Sequence, residues 1–140
     1  MNIMEVKFSA KSENESLARV IVASFAAKLD PTIDELSDIK TAVSEAVTNA
    51  IIHGYEEDET KFVHMRCELI ENTIKIVIED YGKGIADIEE ARQPMFTSKP
   101  ELERSGMGFS FMESFMDDMQ VASIVGEGTK VIMTKTIEIP

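Results

Sequence analysis

A chain of 140 residues with 44% hydrophobic content holds one domain with a real core and has too few residues for a second. Its 26 acidic against 14 basic residues leave a formal net charge of −12, which disfavours direct nucleic-acid binding and favours a basic protein partner. The single cysteine, Cys67, rules out an intramolecular disulfide or a cysteine-based zinc set, and no run approaches the roughly 18 apolar residues of a membrane span. The amino terminus MNIMEVKFSA lacks a basic flank followed by an apolar core, so no signal peptide, no membrane attachment and a cytoplasmic location are expected.

In chain order, residues 4–8 alternate as a short strand, and Ser12 with Glu15 reads as a capping box opening a helix to about Lys28, broken by Asp30-Pro31. Thr32 with Glu35 is a second capping box. The period of Ile33, Leu36, Ile39, Ala42, Val43, Ala46, Val47 and Ala50 carries the next helix to about His53, where Gly54 stops it. Residues 61–70 and 73–79 are β-rich and flank Glu71-Asn72, a hairpin signal. A helical turn at 87–92 precedes a loop over 93–105 with two prolines and no apolar periodicity; loops of that length often serve as lids. A third helix is expected over 106–116. Two last strands, 119–125 and 129–137, flank the turn Gly126-Glu127-Gly128. The order β-α-α-β-β-α-β-β predicts an α+β fold of two layers: a mostly antiparallel mixed sheet, with room for a parallel crossover only around the third helix, covered on one face by helices.

Three signals follow one another along this frame. In SEAVTNAIIHGYE, residues 44–56, Glu45, Asn49 and His53 stand at i, i+4 spacing on one face of an apolar-periodic helix. An isolated E-x-x-x-N is most simply a solvated stripe, but a carboxylate one turn before a carboxamide also suits a base followed by a metal ligand. DYGKG, residues 80–84, ends a strand with Asp80, an acceptor for an amine, and with Gly82 and Gly84, where a planar ligand can approach backbone without meeting a Cβ. A bare D-x-G-x-G is an ordinary turn without the other two signals. SGMGFS, residues 105–110, sets Ser105 as a cap before Gly106, Met107 and Gly108, whose first-turn N–H groups suit phosphate; two glycines there cost helix propensity of about 1 kcal/mol each. Of the loop cations Lys99 and Arg104, Arg104 adjoins this helix start and is the stronger phosphate ligand. Thr129 adds a hydroxyl at the last strand, while His53 more simply caps or packs than binds metal. Met107, Met112, Met116 and Met119, with Phe109, Phe111 and Phe115, read as core, and the acidic run 56–59 as a solvated loop.

In this order and spacing, over residues 36–132, the three signals resemble the asparagine box and the two glycine boxes of the GHKL ATP-binding superfamily. That resemblance implies the Bergerat fold, a two-layer α/β sandwich. It implies Asn49 as magnesium ligand, Asp80 as acceptor of the adenine amine, and the segment 94–108 as a lid over the phosphates. NESLARVIVASFAAKLDPTIDEL, KTAVSEAVTNAIIHGYEE and ARQPMFTSKPELERSGMGFSFME further resemble the anti-sigma F factor family of endospore-forming bacteria. The family resemblance implies a homodimeric serine protein kinase with ATP or ADP and Mg2+ as cofactors. Such a protein withholds the sporulation sigma-F factor from RNA polymerase and phosphorylates a serine of an anti-anti-sigma protein. It implies Glu45 as general base, Arg104 on the terminal phosphate, and backbone N–H donors at Gly106, Met107 and Gly108. Tyr81 and Lys83 fill the variable positions of the first glycine box without removing a motif residue.

A sensor histidine kinase needs a dimerising helix with its acceptor His, which neither His53 nor His64 provides, and a gyrase-like ATPase needs a transducer domain. Two rivals share the site: a nucleotide-gated sequestering protein without turnover, which has no use for Glu45, and a stress-response anti-sigma kinase with another sigma partner. The amino-terminal helix bearing Arg19 is one docking surface for a partner.

Overall fold

The computed structural model describes residues 1–88 and 108–138. Five strands, β1 (Asn2–Ser9), β2 (Phe62–Ile70), β3 (Thr73–Asp80), β4 (Asp118–Ile124) and β5 (Gly128–Thr136), form one sheet in the order β1-β2-β3-β5-β4. Among the described residues three α-helices, α1 (Glu13–Ala26), α2 (Ile33–Asn49) and α3 (Gly108–Phe115), make the second layer, with α2 packed between α1 and α3. The alternation of β2 and β3 turns Val63, Met65, Cys67, Leu69, Ile74, Ile76 and Ile78 inward, against Val22 and Phe25 of α1, Ile39, Val43 and Val47 of α2, and Phe109 and Met112 of α3. Met112, Met116, Met119 and Phe109 are buried, as expected of core packing.

The α+β two-layer architecture is the one expected, with one correction to the sheet. Every neighbouring pair is antiparallel, so the sheet is not mixed. The chain does cross over after β3, and β4 runs in the same direction as β3. However, β5 returns antiparallel between them, so the two like-directed strands never touch.

A second correction concerns the start of α1. Ser12 has helical backbone angles and its side chain caps nothing. Glu15 does not reach back; its carboxylate instead accepts the Ser44 hydroxyl of α2 and lies 3.5 Å from Arg19. The Thr32–Glu35 capping box is present, with Glu35 N–H on Thr32 Oγ1 at 3.1 Å and Thr32 N–H on Glu35 Oε1 at 2.9 Å. Glu35 also accepts Glu138 N–H at 3.1 Å, and the backbone donors from Thr32 and Glu138 hold its carboxyl below the usual range.

The helix carrying Glu45 and Asn49 does not stop at His53 as a plain α-helix. Asn49 is its last α-helical residue, and Ala50–Gly54 continues as a π turn closed by Tyr55 N–H on Ala50 O at 2.9 Å. Single π turns are uncommon and frequently mark functional sites.

Candidate functional site

The widened π turn delivers Gly54 onto the end of β3. A Cβ built on Gly54 would lie 2.7 Å from the Asp80 carboxylate, one on Gly82 1.9 Å from Gly54 O, and one on Gly128 2.1 Å from Asp80 O. Three segments distant in sequence thus meet backbone to backbone, which only glycine permits. Lys83 N–H closes the contact on Gly54 O at 3.0 Å, and Lys83 O accepts Gly126 N–H at 2.7 Å.

Asp80 stands at the centre of this junction, 5% exposed. Gly82 N–H donates to its Oδ1 at 2.9 Å, and the backbone of Thr129, its register partner on β5, donates to it as well. Burial nevertheless dominates and pushes its carboxyl up to about 6, against the opposing pull of these two donors. No cation among the described residues pairs with it. A carboxylate so placed is suited to a neutral donor group on a ligand, such as an aromatic amine.

Thr129 is 8% exposed, and its hydroxyl lies 2.9 Å from Ser123 Oγ. Ser123 also donates to Gly128 O at 2.9 Å and accepts Ile85 N–H at 2.7 Å, so one side chain ties the β4–β5 turn to the segment after Gly84. Gly84 itself has φ +78 and packs on Ile124 O. Lys83 Nζ lies 3.8 Å from Glu56, so this cation is drawn toward the acidic run after the helix.

Glu45 and Asn49, both partly buried, share one face of α2 at the end where the π turn leads to Gly54 and Asp80. The fold therefore gathers Asp80, Gly82, Gly84 and Thr129 at one rim of the sheet, with the Asn49 end of α2 above. Gly108 opens α3 beside α2. Arg104, Ser105, Gly106, Met107 and the lid segment up to Gly108 lie outside the described residues. Among the described residues no set of three His, Cys, Asp or Glu side chains could hold a metal ion. No described helix is long and apolar enough to cross a membrane.

Gly54, Tyr55, Ser123 and Gly128 are structural members of this junction that motif reading does not single out. Gly54 reads as a helix stop and Gly128 as a turn residue; only the tertiary contact shows that each must lack a Cβ.

The sequence profile of the family described as "Histidine kinase-like ATPase domain" matches residues 8–135. The chain is 63% identical to an anti-sigma F factor of Clostridium perfringens over 134 residues, 96% of each chain. It is 60% identical to that of Anoxybacillus flavithermus, over 96% of this chain and 92% of that one. The anti-sigma F factor of Clostridium novyi is 53% identical, over 98% of this chain and 96% of that one. Among solved structures, the RsbU and RsbW domains of Rv1364c from Mycobacterium tuberculosis align with a TM-score of 0.72 at 17% identity, which shows a shared fold. That match covers all of this chain, which spans about a third (34%) of the solved one.

Proposed function

The chain belongs to the anti-sigma F factor family, within the histidine kinase-like ATPases, and from that membership we propose that it is an ATP-dependent serine protein kinase. In this reading a homodimer sequesters a sporulation sigma-F factor and phosphorylates a serine of an anti-anti-sigma protein. The observation that carries the reading is the buried Asp80 carboxylate, fixed at a junction of close-packed glycine backbone and paired with no cation among the described residues. Its surroundings offer backbone donors and no cation among the described residues, which suits the exocyclic amine of adenine.

Bound ATP would supply the phosphoryl group, with Mg2+ held through Asn49 and the phosphates. The chain's own residues then divide the work. Asp80 accepts the amine, Gly82 and Gly84 shape the turn that holds it by packing on Gly54 and Ile124 backbone rather than by leaving a Cβ-free face for the base, and Thr129 lines the same rim. Ser105 caps the helix start, Gly106, Met107 and Gly108 present N–H groups to the phosphates, and Arg104 steadies the terminal one. Glu45 orients the substrate serine and takes its proton as the serine oxygen bonds to phosphorus and the bond to the ADP oxygen breaks. Positioning and charge neutralisation supply most of the rate.

The test is transfer of labelled γ-phosphate from Mg-ATP to the anti-anti-sigma protein by this chain and by its Glu45→Ala and Asn49→Ala variants. Phosphoserine is expected with the unmodified chain, and loss of at least about a hundredfold in rate with Glu45→Ala. Full transfer by Glu45→Ala would remove it as the base. No transfer by the unmodified chain, with ATP bound and sigma factor captured, would instead identify a nucleotide-gated sequestering protein. Capture of only a stress-response sigma factor would reassign the partner.

A further inference from the structure

Tyr55 follows the π turn and is 7% exposed, with its hydroxyl the polar link between three segments. It donates to Phe62 O at 2.6 Å, at the start of β2, and accepts Tyr81 N–H at 2.8 Å. That N–H belongs to the peptide group joining Asp80 to Tyr81. The opposite face of the same junction is fixed by Gly82 N–H on the Asp80 carboxylate and by the backbone contact of Gly82 with Gly54. A phenol held by two backbone groups has its hydroxyl direction fixed, and its removal would take this partner from a carbonyl and an amide in a partly buried place.

The geometry points to Tyr55 as a positioning residue that fixes the Asp80–Tyr81 peptide plane and thereby aims the Asp80 carboxylate at the 6-amino group of a bound purine. Tyr55 thus couples the end of the Asn49 helix to the purine acceptor, and purine discrimination becomes a property of the junction as well as of Asp80. The Tyr81 ring itself meets His64 edge-on at 5.1 Å, so Tyr81 contributes its amide, not its side chain, to the contact with Tyr55.

The inference rests on the reading of Asp80 as the amine acceptor, and the experiment separates the two. Calorimetric affinities for ATP and for purine riboside triphosphate, which lacks the 6-amino group, are compared in the unmodified chain, Tyr55→Phe and Asp80→Asn. The unmodified chain is expected to prefer ATP, Asp80→Asn to lose that preference, and Tyr55→Phe to narrow it about tenfold, with the affinity for the desamino analogue changed less than about twofold. Parallel weakening of both ligands by Tyr55→Phe, or no change in either, overturns the positioning role while Asp80 keeps its own. Absence of any preference in the unmodified chain overturns both.

Should Tyr55→Phe fail to fold, amide exchange in the unmodified chain decides. A Tyr81 amide protected like those of β3 supports the pin, and one exchanging at the rate of an unstructured peptide overturns it.

Discussion

Asp80 is a carboxylate whose burial works against the fold on its own, and its setting makes the consequence measurable. With its folded-state carboxyl pushed up to about 6, the proton is held more tightly in the native chain than in the unfolded one. Stability attributable to this group is therefore highest at acid pH, declines as pH rises from about 4 through about 6, and is level above. At about 1.4 kcal/mol per tenfold change in proton affinity, keeping Asp80 ionised at neutral pH costs the ligand-free fold on the order of 3 kcal/mol. Asp80→Asn is expected to weaken ATP binding to the level of its desamino analogue while making the ligand-free chain more stable at pH 7 by about 1–3 kcal/mol. Denaturant unfolding of both proteins across this pH range checks it. Their difference in stability should open between about pH 4 and pH 6, and a constant difference contradicts the sign. Asp80 was legible as an acceptor because it ends an apolar strand before two glycines. Its burial was not, since that depends on Gly54, which stands 26 positions earlier in the chain.

At the scale of elements, the π turn is what brings the Asn49 helix to the end of β3. Hydrophobic period and the Thr32–Glu35 box are local signals, and the start of α2 obeys them. A switch from i−4 to i−5 bonding at Ala50–Gly54 has no comparable local code. It is selected by packing of Ala50, Ile51 and Ile52 into the core and of Gly54 onto Asp80. Gly82→Ala tests that contact, because its Cβ would fall 1.9 Å from Gly54 O and neither backbone can yield without breaking the Lys83 N–H bond to the same oxygen. We expect a loss of about 1–3 kcal/mol of stability together with loss of nucleotide binding. Unchanged unfolding and unchanged ATP affinity would show the junction to be looser than these distances require. The Ser12–Glu15 pattern is the instructive counterexample: the capping signature is intact, yet Ser44 and Arg19 take the Glu15 carboxylate, and a tertiary partner prevails over the local one.

For the molecule as a whole, the net charge of −12 is spread unevenly. The outer face of the sheet, away from the helices, alternates sign across strands. Arg66 pairs with Glu5 and, at 3.1 Å, with Glu68; Lys130 lies 3.9 Å from Glu79, and Lys7 sits over the Phe62 ring. With these three cations committed there, the excess of acid falls on the rest of the surface, including the exposed run at 56–59. Self-repulsion of this kind opposes compactness and is screened by salt. Raising sodium chloride from about 50 mM to about 500 mM should therefore raise the thermal midpoint of the ligand-free chain by a few degrees. A midpoint that stays put or falls would mean that screening of the favourable pairs on the sheet face outweighs relief of the repulsion.

By itself the sequence determined the element types, the two-layer class and the order of the three motifs, because periodicity, caps and turn residues act within a few positions of one another; family membership came from likeness along nearly the whole chain. Only the tertiary structure decided the antiparallel neighbour of β3, the π turn, and the glycine junction around Asp80. Those outcomes depend on which backbone can approach which across the fold. That contact is governed by the absence of side-chain atoms at Gly54, Gly82 and Gly128, and by one hydroxyl at Tyr55, and no local pattern in the chain encodes it.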